Sequence, residues 1–494
     1  MLLHHFLERT AARLPEKAAL ICEHGSHTYR EVNERAERLA AVLAGRAVRR
    51  GDRVAVFMDN SAEAVIAMYA ALKAGAVFMP VNPLSKSDKL AYMLNDARAA
   101  ALITHSSLRR VWDPALEHAW SVHTCIVMNE DEIVPAAAPT EAPIDQDLAS
   151  IIYTSGSTGE PKGVMLSHLN MVSALNSVSG YLGYREDDVI LCVLPLAFDY
   201  GLYQVLMAFK AGATVVLERN FAFPLRILEI MARERVTVLP GVPTIFSLLV
   251  NLGNLAQYDL SALRTVTNTA AALSEEHIRK LRAAFPQATL YSMYGLTECK
   301  RVTYLPPEQL DIRPLSVGRG MPNEELWLVD EADRRMPNGS TGLLVIRGSH
   351  VMRGYWEKPA ETAERLKPGP LPGESVLYSG DIFRTDAEGY LYFVGRKDDI
   401  IKSRGEKVSP REVENALYSL PGVLEAAVVG VPDPVLGEAV KAYVALAAGR
   451  HYSERDVIRH CLSKLESFMA PKYVQFVDSI PKTNTGKIRK LRLA

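Results

Sequence analysis

The sequence predicts a large α/β domain built of two α/β lobes and a small β unit, followed by a small α+β domain. Three observations carry that expectation. Segments of strand and helix period alternate over 28–103 and again over 148–239, the pattern of largely parallel sheets with helices on their faces. Beyond Gly318 the strands shorten and are separated by turn-rich stretches such as DEADRRMPNGSTG, which suits a mainly β unit. The segment 395–406, GRKDDIIKSRGE, is dense in charge and glycine and holds one apolar pair, which marks a domain boundary and a candidate hinge, with a plain solvated linker as the alternative. The expected division is 1–396 and 397–494.

In chain order, MLLHHFLERTAARLPEK reads as an amphipathic helix, because charges enter within its first turns where a secretory signal would be apolar. Helices follow over 29–43, 61–74 and 86–94, and strands over 53–57, 76–80 and 99–103. The stretch 135–143, rich in alanine and proline, is a surface connection. Strands over 148–153 and 164–166 flank a polar segment, and Ser167 is placed to cap a helix over 170–181. The second lobe then alternates strand 189–194, helix 202–210, strand 214–217, helix 224–234 and strand 236–239. The β unit takes strands over 326–329, 343–347 and 390–394. The last domain takes helices over 410–420 and 454–465 and strands over 423–431, 439–446 and 474–477.

Composition excludes several function classes. Lysine plus arginine number 56 against 57 for aspartate plus glutamate, so no overall field favours nucleic acid or an anionic membrane. The five cysteines, Cys22, Cys125, Cys192, Cys299 and Cys461, are scattered and form no CxxC pair, which argues for a reducing compartment, against structural zinc, and for small core residues. The most apolar stretch, 64–81, is interrupted by Lys73 and Gly75 and closed by Pro80, short of a membrane span. The expectation is a cytoplasmic protein whose binding resides in local sites.

One stretch stands out. Residues 153–168 read YTSGSTGEPKGVMLSH: the glycines let the backbone approach a ligand, Thr154, Ser155, Ser157 and Thr158 offer hydroxyls, and Lys162 a charge. This is a phosphate cradle with neither the spacing of the P-loop NTPases nor a dinucleotide fingerprint. A flexible surface loop is the plainer alternative, but the density of hydroxyls between two apolar strands disfavours it. Four weaker signals join it. In YSMYGLTE, 291–298, Tyr294 can stack on a base, Thr297 can meet a phosphate and Glu298 can hold Mg²⁺. In YSGD, 378–381, Asp381 follows a glycine turn and can accept ribose hydroxyls. Arg396 and Asp398 lie in the boundary segment, and Lys487 follows Gly486 in PKTNTGKIR near the end of the chain.

Together, and in this order, the five stretches resemble the adenylate-forming superfamily of acyl-CoA synthetases and peptide-synthetase adenylation domains, over nearly the whole chain. The resemblance implies a mobile C-terminal domain and two steps: a carboxylate and ATP give acyl-AMP and pyrophosphate, then a thiol takes the acyl group. It places the phosphate loop on Thr154, Ser155, Gly156, Ser157, Thr158, Gly159 and Lys162, adenine on Tyr294 and the adjoining Gly295, and phosphate and Mg²⁺ on Thr297 and Glu298. It places ribose on Asp381 with Arg396 beside it, the hinge on Asp398, and the adenylation lysine on Lys487. Thr154, Glu298 and Lys487 are thereby the expected catalytic residues, ATP and Mg²⁺ the cofactors. CoA is the first choice of thiol and a phosphopantetheinyl carrier protein the second. A non-catalytic nucleotide-binding homologue is a distant third reading.

The resemblance also places the acid pocket at Phe198, Asp199, Tyr203, Asn268, Ala270 and Arg301. Amino-acid-adenylating relatives carry an aspartate where Asp199 stands, paired with the substrate amine; a protein partner or water for Asp199 is the even alternative. The run 267–273, TNTAAAL, replaces the family's common glycine pair with bulkier residues, which disfavours a very long acyl chain. Arg301 can meet a polar or acidic substrate group or pair with Glu298 or another acid, and the pair is the plainer expectation.

Overall fold

Strands that are apolar at every residue need cover on both faces, and the first sheet obeys that rule. In the computed structural model, which describes residues 1–134, 141–155, 161–250, 252, 255–269, 273–397, 399–403, 406–433, 436–482, 488, 490 and 493, this sheet has seven strands. Their order is Gly354–Tyr355, Pro161–Ser167, Leu148–Ser155, Val77–Val81, Arg53–Phe57, Ala99–Thr104, Thr124–Val127. The ladders from Leu148–Ser155 through to Thr124–Val127 are parallel, whereas Pro161–Ser167 folds back antiparallel. Every residue of Val77–Val81 and of Ala99–Thr104 is buried. Helix Ala62–Lys73 starts where the Ser61 side chain accepts from Ala64 N–H, and is buried along most of its length.

The second sheet has nine strands, from Arg319–Gly320 through Thr303–Tyr304, Thr289–Tyr294, Thr265–Asn268, Val238–Gly241, Val189–Cys192, Thr214–Leu217 and Ala18–Cys22 to Gly25–Thr28. The first hairpin of the chain therefore closes the edge of the second lobe, with Leu20 paired to Val215. Helix His4–Arg13 is tied there by Thr10 Oγ1 donating to the Phe209 carbonyl at 2.7 Å. The β unit consists of Glu324–Val329, Thr341–Gly348, Ser375–Thr385, Leu366–Pro368 and Leu391–Arg396.

The C-terminal unit sets helices Pro410–Tyr418 and Glu454–Leu462 against a five-stranded sheet of Glu406–Val408, Ile401–Ser403, Gly437–Leu446, Val423–Asp433 and Tyr473–Phe476. Its own core joins Val413, Leu417, Val428, Val444, Val457 and Cys461. It meets the β unit where Ser409 Oγ donates to the Val394 carbonyl, and the second lobe where the Tyr418 and His277 rings cross edge-on at 5.3 Å.

The solvated-linker alternative does not hold over most of 395–406: strand Leu391–Arg396 runs into it and strands Ile401–Ser403 and Glu406–Val408 run out of it, because the charges alternate with residues such as Ile401 and Ser403 that face the C-terminal core. Two expectations need correction. The helix expected over 202–210 starts at Asp199, an acid in the first turn, where it complements the positive end of the helix. Residues 378–381 form no turn but lie inside the long strand Ser375–Thr385. Ser167 does cap its helix, in a reciprocal box with Asn170. Residues 135–140 of the alanine- and proline-rich connection lie outside the described residues. The five cysteines are free, three buried and two half-buried, and no helix among the described residues is long and apolar enough to cross a membrane.

Four histidines, three buried and His277 half-buried, make the fold acid-sensitive. Burial holds His4 down at about 3 and His168, His277 and His350 at about 4, against an ordinary 6.5. The unfolded chain takes up these protons near pH 6.5 and the folded chain only near pH 3 to 4, so their contribution is complete above pH 6.5 and is lost as pH falls through that window. Glu324, 3.0 Å from His350, acts in the opposite sense, since burial pushes it well above its ordinary value. Each histidine gives up about 2 kcal/mol between pH 7 and pH 5, so we expect urea unfolding to show a net loss of several kcal/mol over that range after the partial offset from Glu324; an unchanged midpoint would contradict this assignment.

Candidate functional site

Strand Thr289–Tyr294 ends in a loop so tight that a Cβ on Gly295 would sit 2.2 Å from the Lys300 carbonyl oxygen. The amides of Cys299 and Lys300 both donate to the Leu296 carbonyl, at 3.1 and 2.7 Å. This turn carries Tyr294, Thr297 and Glu298 toward the β unit. There the Tyr294 hydroxyl donates to Asp381 Oδ2 at 2.6 Å, and its ring meets Phe383 edge-on at 4.8 Å.

Asp381 sits on the kinked middle of strand Ser375–Thr385. Gly380 there has φ +78, and the ladder to strand Leu391–Arg396 shifts register just beyond, so the carboxylate points out of the sheet. Asp381 is 8% exposed, and Arg396 Nε lies 3.8 Å from its Oδ1. Burial pushes the carboxyl up from its usual range, while Arg396 and the Tyr294 hydroxyl draw it back. Tyr294 in turn is held well above an ordinary phenol by burial and by the Asp381 charge.

Beside this trio, Glu298 Oε1 accepts from the Tyr355 hydroxyl at 2.7 Å, and its charge adds to the upward push on Asp381. Tyr355 belongs to the edge strand paired with Pro161–Ser167, and Lys162 Nζ lies 5.7 Å over its ring. Lys162 stands opposite Thr154 in the hairpin ladder. Four of the five stretches thus bring Thr154, Lys162, Glu298, Tyr294, Asp381 and Arg396 to one place. Tyr355 is a member that sequence reasoning missed. Nothing local in RGYWEK marks it, because its place depends on pairing with a strand far back in the chain. Two carboxylates, several hydroxyls and a hairpin lysine suit a polyphosphate, a sugar diol and a hard cation.

Gly156, Ser157, Thr158, Gly159, Ala270, Asp398, Lys487 and the Ser155 side chain lie outside the described residues. On either side of residue 487, Lys482 pairs with Ile488 in a bridge and with Glu425 in an ion pair, and Lys490 Nζ is 2.6 Å from Glu414. Both flanks are carried by the C-terminal unit.

A second group lies behind the turn. Asp199 and Tyr203 stand one turn apart on helix Asp199–Ala211, with Phe198 at its N-cap and edge-on to Tyr200 at 6.3 Å. Tyr200 donates to the Thr267 carbonyl at 2.7 Å, next to the buried Asn268. Arg301 does not make the expected pair with Glu298. Its guanidinium lies 4.4 Å over the Tyr200 ring, its Nη1 reaches the Lys300 carbonyl at 3.3 Å, and its Nε has no partner among the described residues. The tight turn aims Arg301 behind the loop while Tyr355 occupies Glu298.

Lys300 is the other residue that sequence reasoning missed. It is 1% exposed, its Nζ lies 5.1 Å over the Tyr203 ring, and that Nζ has no hydrogen-bond partner among the described residues. Burial pulls it down to about 8, although Asp199 works to raise it. Asp199 itself, 5% exposed, makes no hydrogen bond or ion pair among the described residues. A lysine two places after a loop glutamate reads as solvated; only the inward fold of the turn reveals otherwise.

Residues 7–356 match the model of the family described as AMP-binding enzyme, and residues 412–487 match that of the AMP-binding enzyme C-terminal domain. The chain is 31% identical to a long-chain-fatty-acid–CoA ligase of Bacillus subtilis, over 99% of this chain and 94% of the relative. It is also 32% identical to tyrocidine synthase 3 of Brevibacillus parabrevis, over 99% of this chain, but it spans only 8% of that relative's length. Among solved structures, the anthranilate CoA ligase AuaEII in complex with anthranoyl-AMP overlays with a TM-score of 0.92 at 28% identity, covering 100% of this chain and 96% of that one.

The kink at Gly380 is testable by stability alone. A side chain held at φ +78 costs about 1 to 3 kcal/mol, and the new Cβ would meet Arg365 Nη1 at 2.0 Å. Gly380→Ala is expected to lower the unfolding free energy by that amount in urea titration; a variant as stable as the parent would show that the kink is not needed.

Proposed function

The chain belongs to the AMP-binding enzyme family, and from that premise we propose that it activates a carboxylic acid with ATP, releasing pyrophosphate, and passes the acyl group from AMP to a thiol. The observation that carries this reading is the convergence of Tyr294, Asp381, Arg396, Glu298 and Lys162 around one polar site. In it Asp381 accepts the ribose hydroxyls, the Tyr294 ring lies against adenine, and the 154–162 hairpin with Lys162 receives the phosphates. Magnesium, when bound, neutralises phosphate charge. Glu298 and Thr297 supply the hard oxygens that would hold it, and Glu298 Oε2 is left clear of the bond from Tyr355 to Oε1.

A carboxylate attacking a phosphate brings two anions together, so positive charge must be delivered where charge accumulates. We assign that task to Lys487, carried by the C-terminal domain, 397–494, against the N-terminal domain, 1–396. With Asp398 as the hinge, the lysine is presented for the first step and withdrawn when the thiol needs the same carbonyl. CoA is the proposed acceptor, the thiol named for the ligase relative that is 31% identical. A carrier protein is the second choice.

Pyrophosphate exchange into ATP across short and medium fatty acids, aryl acids and amino acids tests the first step. Exchange with at least one acid is expected; exchange with none overturns the reading, and exchange with amino acids alone moves it to carrier-protein loading. Lys487→Ala is expected to slow adenylation by ~10² to 10³, on the scale of a lost oxyanion donor, while thiolysis of preformed acyl-AMP stays within a few-fold. Equal loss in both half-reactions would contradict the division of labour.

A further inference from the structure

Two cationic donors behind the Tyr294–Glu298 turn are not satisfied by the protein. Asp199, Lys300 and Arg301 are at least nine-tenths buried. Lys300 Nζ and Arg301 Nε have no hydrogen-bond partner among the described residues. What these groups rest on is aromatic: the Tyr203 ring under Lys300 and the Tyr200 ring under Arg301. Asp199 and, more weakly, Glu298 act on Lys300 through space, but none of Asp199, Lys300 and Arg301 is bonded to another side chain among the described residues. Buried charge left in that condition is costly, so the site is built to be completed by something that enters it.

The unmade donor bonds select the ligand. A plain hydrocarbon tail would leave Lys300 Nζ and Arg301 Nε without an acceptor. An ammonium group would satisfy Asp199 and still leave both donors unmet. A second carboxylate accepts from both Lys300 and Arg301. The reacting carboxylate is a different group, because it belongs at the nucleotide end beside Glu298 and Lys487. Resting on the acid-activating reading above, we propose that Lys300 and Arg301 recognise a second carboxylate on the substrate, making this a ligase for a small dicarboxylic acid. Arg301 offers a planar fork and Lys300 a point charge, so the pair holds one carboxylate from two sides. The bulk at Thr269, whose side chain is buried, agrees with a short spacer between the two acids.

The test is pyrophosphate exchange with length-matched pairs: butanoate and succinate, pentanoate and glutarate, benzoate and phthalate, with aspartate and glutamate added. At least one dicarboxylate is expected to exceed its monocarboxylate partner by ~10² or more in kcat/KM, the discrimination of a site whose buried polar groups are otherwise left unpaired. Lys300→Met is expected to raise KM for that dicarboxylate by ~10 to 10² with a smaller change in kcat, and Lys300→Arg to recover part of the loss. A structural role would not produce that split. Melting of ligand-free enzyme supplies an independent reading: Lys300→Met is expected to melt higher than the parent, because it removes an unpaired buried charge, whereas a structural lysine would make it melt lower. Equal use of matched mono- and dicarboxylates, insensitive to Lys300→Met, overturns this proposal while leaving acid activation intact. Exchange with amino acids that lack a second carboxylate also overturns it. Exchange with no acid at all removes the activating reading and this one with it.

Discussion

The site depends on one buried carboxylate. Asp381 can be kept out of water only because the Tyr294 hydroxyl reaches it at 2.6 Å and Arg396 stands at 3.8 Å, and an acid stripped of such partners would cost several kcal/mol to bury. Tyr294 comes from the nine-stranded sheet and Asp381 and Arg396 from the β unit. The bond therefore fixes the β unit against the second lobe, and the Gly380 kink is what turns the carboxylate toward its partner. Through the same turn, Glu298 reaches Tyr355 and the first sheet. Three sheets are thus held in register around one polar spot.

The two ends of the site differ in how far the protein satisfies its own polar groups. At the proposed nucleotide end, each carboxylate already has a protein hydroxyl or guanidinium and keeps spare lone pairs for a ligand. At the acid end, Lys300 and Arg301 lie buried over aromatic rings with Lys300 Nζ and Arg301 Nε unpartnered among the described residues, near the buried Asp199. Pre-formed partners suit a ligand shared by every member of a family. Groups left wanting suit the part of the reaction where one acid must be told from another.

Much of this was legible in the sequence. The alternating periods gave both lobes, Ser167 announced its helix, and Thr154, Lys162, Tyr294, Glu298, Asp381 and Arg396, from four of the five motifs, do come together. What was hidden depends on long-range pairing or on the direction of a turn. The hairpin Ala18–Cys22 and Gly25–Thr28 joins the second lobe through Leu20 and Val215, a register that no local period encodes. Tyr355 is placed by an edge-strand pairing of the same kind. Residues 378–381 read as a turn because glycine and aspartate favour turns, but the ladders on both sides kept the chain extended and used Gly380 as a kink. Lys300 was missed because composition predicts exposure for lysine, and only the close approach at Gly295 folds it inward.

The most direct measurement is a crystal structure of the enzyme with magnesium and a non-hydrolysable ATP analogue. The account predicts both ribose hydroxyls within hydrogen-bonding distance of Asp381, adenine against Tyr294, and the triphosphate along the 154–162 hairpin with the metal on Glu298. A nucleotide seated elsewhere, with Asp381 still closed on Tyr294 and Arg396 alone, would contradict it.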